Sequence, residues 1–123
     1  MDYLVETFKT GLTYDPNQDF GNANAGKNLW VSLSADDTVQ LAANNASLVG
    51  RLLEVRQNGT ASVEVFAQKT KAVAAEAVPR GSGLIGAGGG KVKPAVAAST
   101  RPRGLTLKAA ANDNDVIDVA LIC

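Results

Sequence analysis

The sequence predicts a mainly β protein, a small antiparallel β-sandwich or barrel carrying an extended N-terminal arm. Three observations support this. Apolar residues recur with period two in short runs. Glycines and Asn/Asp clusters separate the runs at short intervals. Only one segment has a composition that suits a helix. At 123 residues the chain suits one domain with a modest core. We divide it into an arm, residues 1–28, and a β domain, residues 29–123.

The arm is rich in Asn, Asp, Thr and Gly, and DPNQDFGNANAGKN reads as loop. Yet it holds Tyr3, Phe8, Tyr14 and Phe20, four of the six aromatics in the chain. A polar extended segment cannot bury such rings by itself and must lay them on another surface. That surface is either the arm's own domain or a neighbouring subunit, and the sequence leaves both open.

In NLWVSLS, Leu29, Val31 and Leu33 alternate with Trp30, Ser32 and Ser34, the pattern of a half-buried strand. Ala35-Asp36-Asp37 is a turn, and TVQLA continues as a second strand. LVGRLLEVRQNGTASVEVFAQ holds a hairpin centred on Asn58-Gly59. A two-residue loop would set Val55 opposite Ser62 and mix the two faces. A three-residue loop, Gln57-Asn58-Gly59, sets Val55 opposite Ala61, Glu54 opposite Ser62 and Leu53 opposite Val63. One face is then apolar, and Gly59 takes a left-handed conformation at a bulge.

Residues 69–81, KTKAVAAEAVPRG, fit either a short helix or a crossing from strand to loop. GLTLKA and VIDVALIC are strand-like, and NDND between them is a turn. The NDND run lacks the spacing of a calcium loop: Ile117 stands at the third ligand position and no glycine follows. An Asx-type turn is expected instead.

Gly81, Gly83 and Gly86 in GSGLIGAGGG satisfy G-x-G-x-x-G. A dinucleotide site also needs a helix opening inside the motif and an acid about 20 residues on. Here Gly88-Gly89-Gly90 and Pro94 prevent a helix. The phosphate-loop pattern fails as well, with Ile85 and Val92 at required positions. These glycines are expected to make tight turns and bulges around the apolar step Leu84-Ile85.

Composition narrows the function. There is no histidine, which removes Ser-His-Asp and Cys-His nucleophiles and histidine metal sites. The one cysteine, Cys123, is the last residue. No catalytic, cofactor or metal residue is assigned, and an enzyme is not expected. No apolar run is long enough for a membrane-spanning helix, and the N-terminus does not look like a secretion signal, so synthesis in the cytoplasm is expected. Charge is segregated. Residues 1–65 hold eight acids and four bases, whereas residues 66–108 hold eight bases and one acid. Arg80, Lys91, Lys93, Arg101 and Arg103 are candidates for docking on an acidic surface. No aromatics interleave with them, so nucleic acid is not the expected partner. Tyr3, Phe8, Tyr14 and Phe20 are the candidate anchors for a partner or a sister subunit.

The succession GKNLWVSLSADDTVQLA, VGRLLEVRQNGTASVEV, GSGLIGAGGGKVKPA, RGLTL and NDVIDVALI resembles the capsid cement, or decoration, proteins of tailed bacteriophages. The resemblance covers residues 26–123 and rests on short, turn-dominated motifs. It implies a mainly β virion protein on the capsid exterior, made in the host cytoplasm. It also implies a homotrimer that binds the major capsid protein and clamps neighbouring subunits against internal pressure. It brings no catalytic residue, no cofactor and no membrane. The alternatives are another virion component, such as a connector or fibre-associated domain, and a small ligand- or carbohydrate-binding β module.

Overall fold

A computed structural model describes residues 3–16, 27–95 and 102–121. In these residues the protein has nine strands and no helix. They are β1 (Tyr3–Thr10), β2 (Trp30–Ala35), β3 (Thr38–Leu41), β4 (Leu48–Val55), β5 (Thr60–Val73), β6 (Leu84–Gly88), β7 (Lys91–Pro94), β8 (Leu105–Thr106) and β9 (Val116–Leu121). The main sheet runs β1-β3-β2-β4-β5-β9-β8, and β1 also pairs with β5. That extra pairing closes β1, β3, β2, β4 and β5 into a five-stranded barrel. The fold is therefore a barrel rather than a sandwich. One of its seams is parallel, with Lys9 opposite Thr38 and Thr10 opposite Val39.

The barrel encloses Val31, Val39, Leu52, Val55, Ala61 and Val63. A second core lies beside it, built on Trp30, Leu84, Val92, Ile117, Val119, Leu121 and several alanines. The fourteen residues of β5 serve both. Its first half supplies Ala61 and Val63 to the barrel, and its second half supplies Ala67 and Ala72 to the second core. β9 and β8 extend the sheet beyond the barrel along that second half.

The expected hairpin forms between β4 and β5. Val55 faces Ala61, Glu54 faces Ser62, and Gly59 sits at φ 80°. The Arg56 N–H donates to the Thr60 carbonyl at 2.8 Å, which leaves the expected three-residue loop. The register then departs from expectation: Leu52, not Leu53, faces Val63. A bulge between Leu52 and Glu54 moves Leu52 into the barrel, and closing a small barrel requires such irregularities.

β2 departs from strict alternation too. Trp30, Val31 and Ser32 are all buried, while Leu33 is 55% exposed. Both faces of the first half are covered, because Trp30 joins the second core and Val31 the barrel. β4 pairs with β2 only from Trp30 to Ser32. Beyond that point β2 keeps only β3 as a neighbour, while β3 still pairs with β1 at Thr38 and Val39, and the hairpin turns at Asp36 and Asp37, with Asp37 left-handed at φ 53°.

Trp30 ties the layers together. Its N–H donates to the Gly90 carbonyl, its carbonyl accepts from Ala42, and its indole N–H donates to the Lys71 carbonyl, each at 2.9 Å. Residues 69–81 contain no helix. β5 continues to Val73, and the chain then crosses the second core through single bridges from Ala74 to Val92 and from Val78 to Ala110. The small side chains of Ala72 and Ala74 let it lie flat there, and both are fully buried.

The glycine-rich stretch is the β6–β7 hairpin, with Gly88, Gly89 and Gly90 all at positive φ. A Cβ on Gly86 would stand 2.2 Å from the Ala43 carbonyl oxygen, so that position needs glycine for close approach. Leu84 and Ile85 are buried, as expected of the apolar step. At the NDND turn, the Asp115 carboxylate accepts from the N–H groups of Ala111 and Asn112, both at 3.0 Å, with Asn114 at φ 71°.

Candidate partner-binding surfaces

Within the N-terminal segment, Tyr3–Thr10 is a strand of the barrel. It pairs with β5 from Tyr3 opposite Ala67 to Lys9 opposite Thr60. YLVETFKT is rich in aromatic and β-branched residues, which suit a strand, and it closes the barrel. Phe8 and Tyr14 are half-buried and pack against the barrel core. Of the two placements open for these rings, these two take the chain's own domain. Phe20 lies outside the described residues, and only the backbone of Tyr3 is described.

The candidate docking cations among the described residues have different partners. Lys91 pairs with Asp113 at 2.9 Å. Lys93 donates to the Asn44 side-chain carbonyl at 2.8 Å. Arg103 is half-buried, and its guanidinium donates to the carbonyls of Val49 at 3.1 Å and Val65 at 2.7 Å. That geometry makes Arg103 an internal clamp joining β4 and β5 to the segment beside β6. Arg80 is exposed, and Arg101 lies outside the described residues.

Sequence reasoning missed two surfaces. The first is the outer face of the β5–β9–β8 extension. Opposite residues of paired strands share a face. Val73 lies opposite Val116, Lys71 opposite Asp118 and Leu105 opposite Ala120, with the Leu107 N–H donating to the Asp118 carbonyl. Three large apolar side chains stand open there: Leu105 at 41%, Leu107 at 43% and Val116 at 44%. Among them Asp118 accepts from Lys71 at 2.5 Å and lies 3.7 Å from Lys69. The Lys71 hydrogen bond, aided by the charges of Lys71, Lys69 and Lys108, holds the Asp118 carboxyl below its ordinary value against some loss of solvation. The signal was present in the alternation of Leu105-Thr106-Leu107 and Val116-Ile117-Asp118. What sequence could not say is which face would stay uncovered.

The second surface is the tip of the β2–β3 hairpin. Leu33, Ser34, Ala35, Asp36 and Asp37 line a shallow depression there. Asp36 and Asp37 are exposed, and no ion pair among the described residues includes them.

Among the described residues no group of His, Cys, Asp and Glu is placed to hold a metal ion. Nor, among the described residues, is any helix long and apolar enough to cross a membrane. Among the described residues the geometry offers an all-β barrel with partly open apolar and charged surfaces.

No family model and no curated protein matches the chain. Among solved structures, the fold is similar to that of the head fiber gp8.5 N base in bacteriophage phi29. The TM-score is 0.62 at 15% sequence identity, over 97% of this chain and 93% of that one. At this identity the likeness is one of fold.

Proposed function

We propose that this chain is a non-catalytic structural protein of a phage virion, seated on the outer surface of the head. The observation that carries the reading is the shared fold with a phage head fiber base over nearly the whole of both chains. The sequence motifs resembling capsid cement proteins point the same way. In this reading the chain binds the major capsid protein and bridges neighbouring capsid subunits, so that the shell resists pressure from packaged DNA. Modest contacts suffice, because many copies engage one lattice and local concentration multiplies their effect.

A second reading within the same class is favoured by that neighbour in particular: the barrel is a base from which a longer appendage projects. The two readings separate in one experiment. Purified chain is added back to DNA-filled heads lacking it, and DNA release is followed on heating. A cement protein raises the release temperature in proportion to occupancy. A fibre base binds at a limited number of sites and leaves release unchanged. If the chain does not bind the heads at all, the proposed function is wrong.

A further inference from the structure

Two open surfaces of this chain are complementary to each other. The β2–β3 tip presents Leu33, 55% exposed, beside two exposed carboxylates, Asp36 and Asp37. The outer face of β5, β9 and β8 presents Leu105, Leu107 and Val116 among Lys69, Lys71 and Lys108. Three lysines against Asp118 leave that face at about +2; the tip opposes it with two carboxylates, with Lys9 on the neighbouring strand, its N–H donating to the Asp37 carbonyl.

Within one chain the two surfaces do not meet. Through β1 the hairpin tip lies level with the Thr60 end of β5, with Thr38 opposite Lys9 and Lys9 opposite Thr60, whereas β9 pairs with β5 from Ala67 to Val73. Leu33 and Leu105 each remain open, so neither covers the other. The occupant must come from another molecule.

We infer that copies of this chain associate head to tail, the acidic β2–β3 tip of one seating on the lysine-rimmed apolar face of β5, β9 and β8 of the next. Leu33 fills the space between Leu105, Leu107 and Val116, and removing these groups from water drives the contact. Asp36 and Asp37 pair with the lysines that Asp118 does not neutralise. This pairing sets the orientation and rejects tip-to-tip and face-to-face encounters, where like charges would oppose. Such a contact is heterologous: each copy keeps one unused tip or face, so association continues until a ring closes or a chain grows.

The association belongs to the isolated chain and does not require attachment to a head, so its test is separate from that of the function. Purified chain is followed by sedimentation velocity from micromolar to near-millimolar concentration at low salt. Wild type is expected to associate, and added salt to weaken it. Asp36→Lys with Asp37→Lys, and separately Lys69→Glu with Lys71→Glu, should each weaken self-association by about tenfold or more. Mixing the two variants should restore it, because each then offers the other an opposite charge. Leu33→Ser, at an exposed position, should also lose association while keeping the wild-type melting temperature. A monomeric wild type at all concentrations overturns the proposal. So do variants that associate as wild type does, or a mixture that fails to recover.

Discussion

The Lys71 ammonium lies 2.5 Å from a carboxylate oxygen of Asp118, across the paired strands β5 and β9. The pair bridges the long barrel strand and the extension built upon it. The folded Asp118 carboxyl sits below its ordinary value of 3.8. A depressed folded pKa contributes stability that is present above the unfolded value and lost as pH falls through the folded one. Carbon-detected NMR titration should find Asp118 ionised below pH 3.8. In Lys71→Met it should move up toward that ordinary value. An Asp118 titration unchanged by that substitution would show that Lys71 is not its main partner.

Arg103 and Arg80 look alike in sequence and should behave differently. The Arg103 fork reaches two carbonyls on different strands, whereas Arg80 is exposed. Arg103→Lys leaves one carbonyl without its charged donor and should cost about 1–2 kcal/mol in urea unfolding. Arg80→Ser should fall within about 0.5 kcal/mol of wild type.

Gly50 lies where β4 turns against β5. A Cβ there would stand 2.0 Å from the Glu64 carbonyl oxygen, a backbone atom that cannot swing aside. Gly50→Ala should destabilise by about 3 kcal/mol or more, or prevent folding, as read by thermal melting. Gly11→Ala meets nothing within 4 Å and should leave the melt close to wild type.

Trp30 joins both layers through its indole. Trp30→Phe keeps most of the ring but leaves the Lys71 carbonyl without its donor. A loss of about 2 kcal/mol is expected from the smaller ring and the missing hydrogen bond together. The intrinsic fluorescence of wild type should be blue-shifted, because Trp30 is fully buried.

Local rules carried much of the architecture. The Gln57-Asn58-Gly59 loop and its first two cross-strand pairs follow from turn chemistry and the alternation of flanking residues. The same is true of the glycine hairpin and of the NDND turn. What failed was non-local. Leu53 and Leu52 are both apolar, and only barrel closure decides which turns inward. Leu33 keeps the strand period but outruns its neighbour β4, so it stays in water. Residues Tyr3–Thr10 form a strand because β5 waits for them more than fifty residues later, a fact no local window contains. The candidate surfaces were the least legible. Charge counting grouped Lys91, Lys93 and Arg103 by sequence, but Lys91 meets an acid, Lys93 a side-chain amide and Arg103 backbone carbonyls.

The proposed place of this chain in a phage particle can be tested directly. The direct measurement is to band particles from the native source on a density gradient and identify their proteins by mass spectrometry. The chain is expected to band with the head, at a fixed ratio to one abundant larger protein, and to be accessible to surface labelling of intact particles. A chain that stays at the top of the gradient as a small species, absent from the particle band, would contradict it.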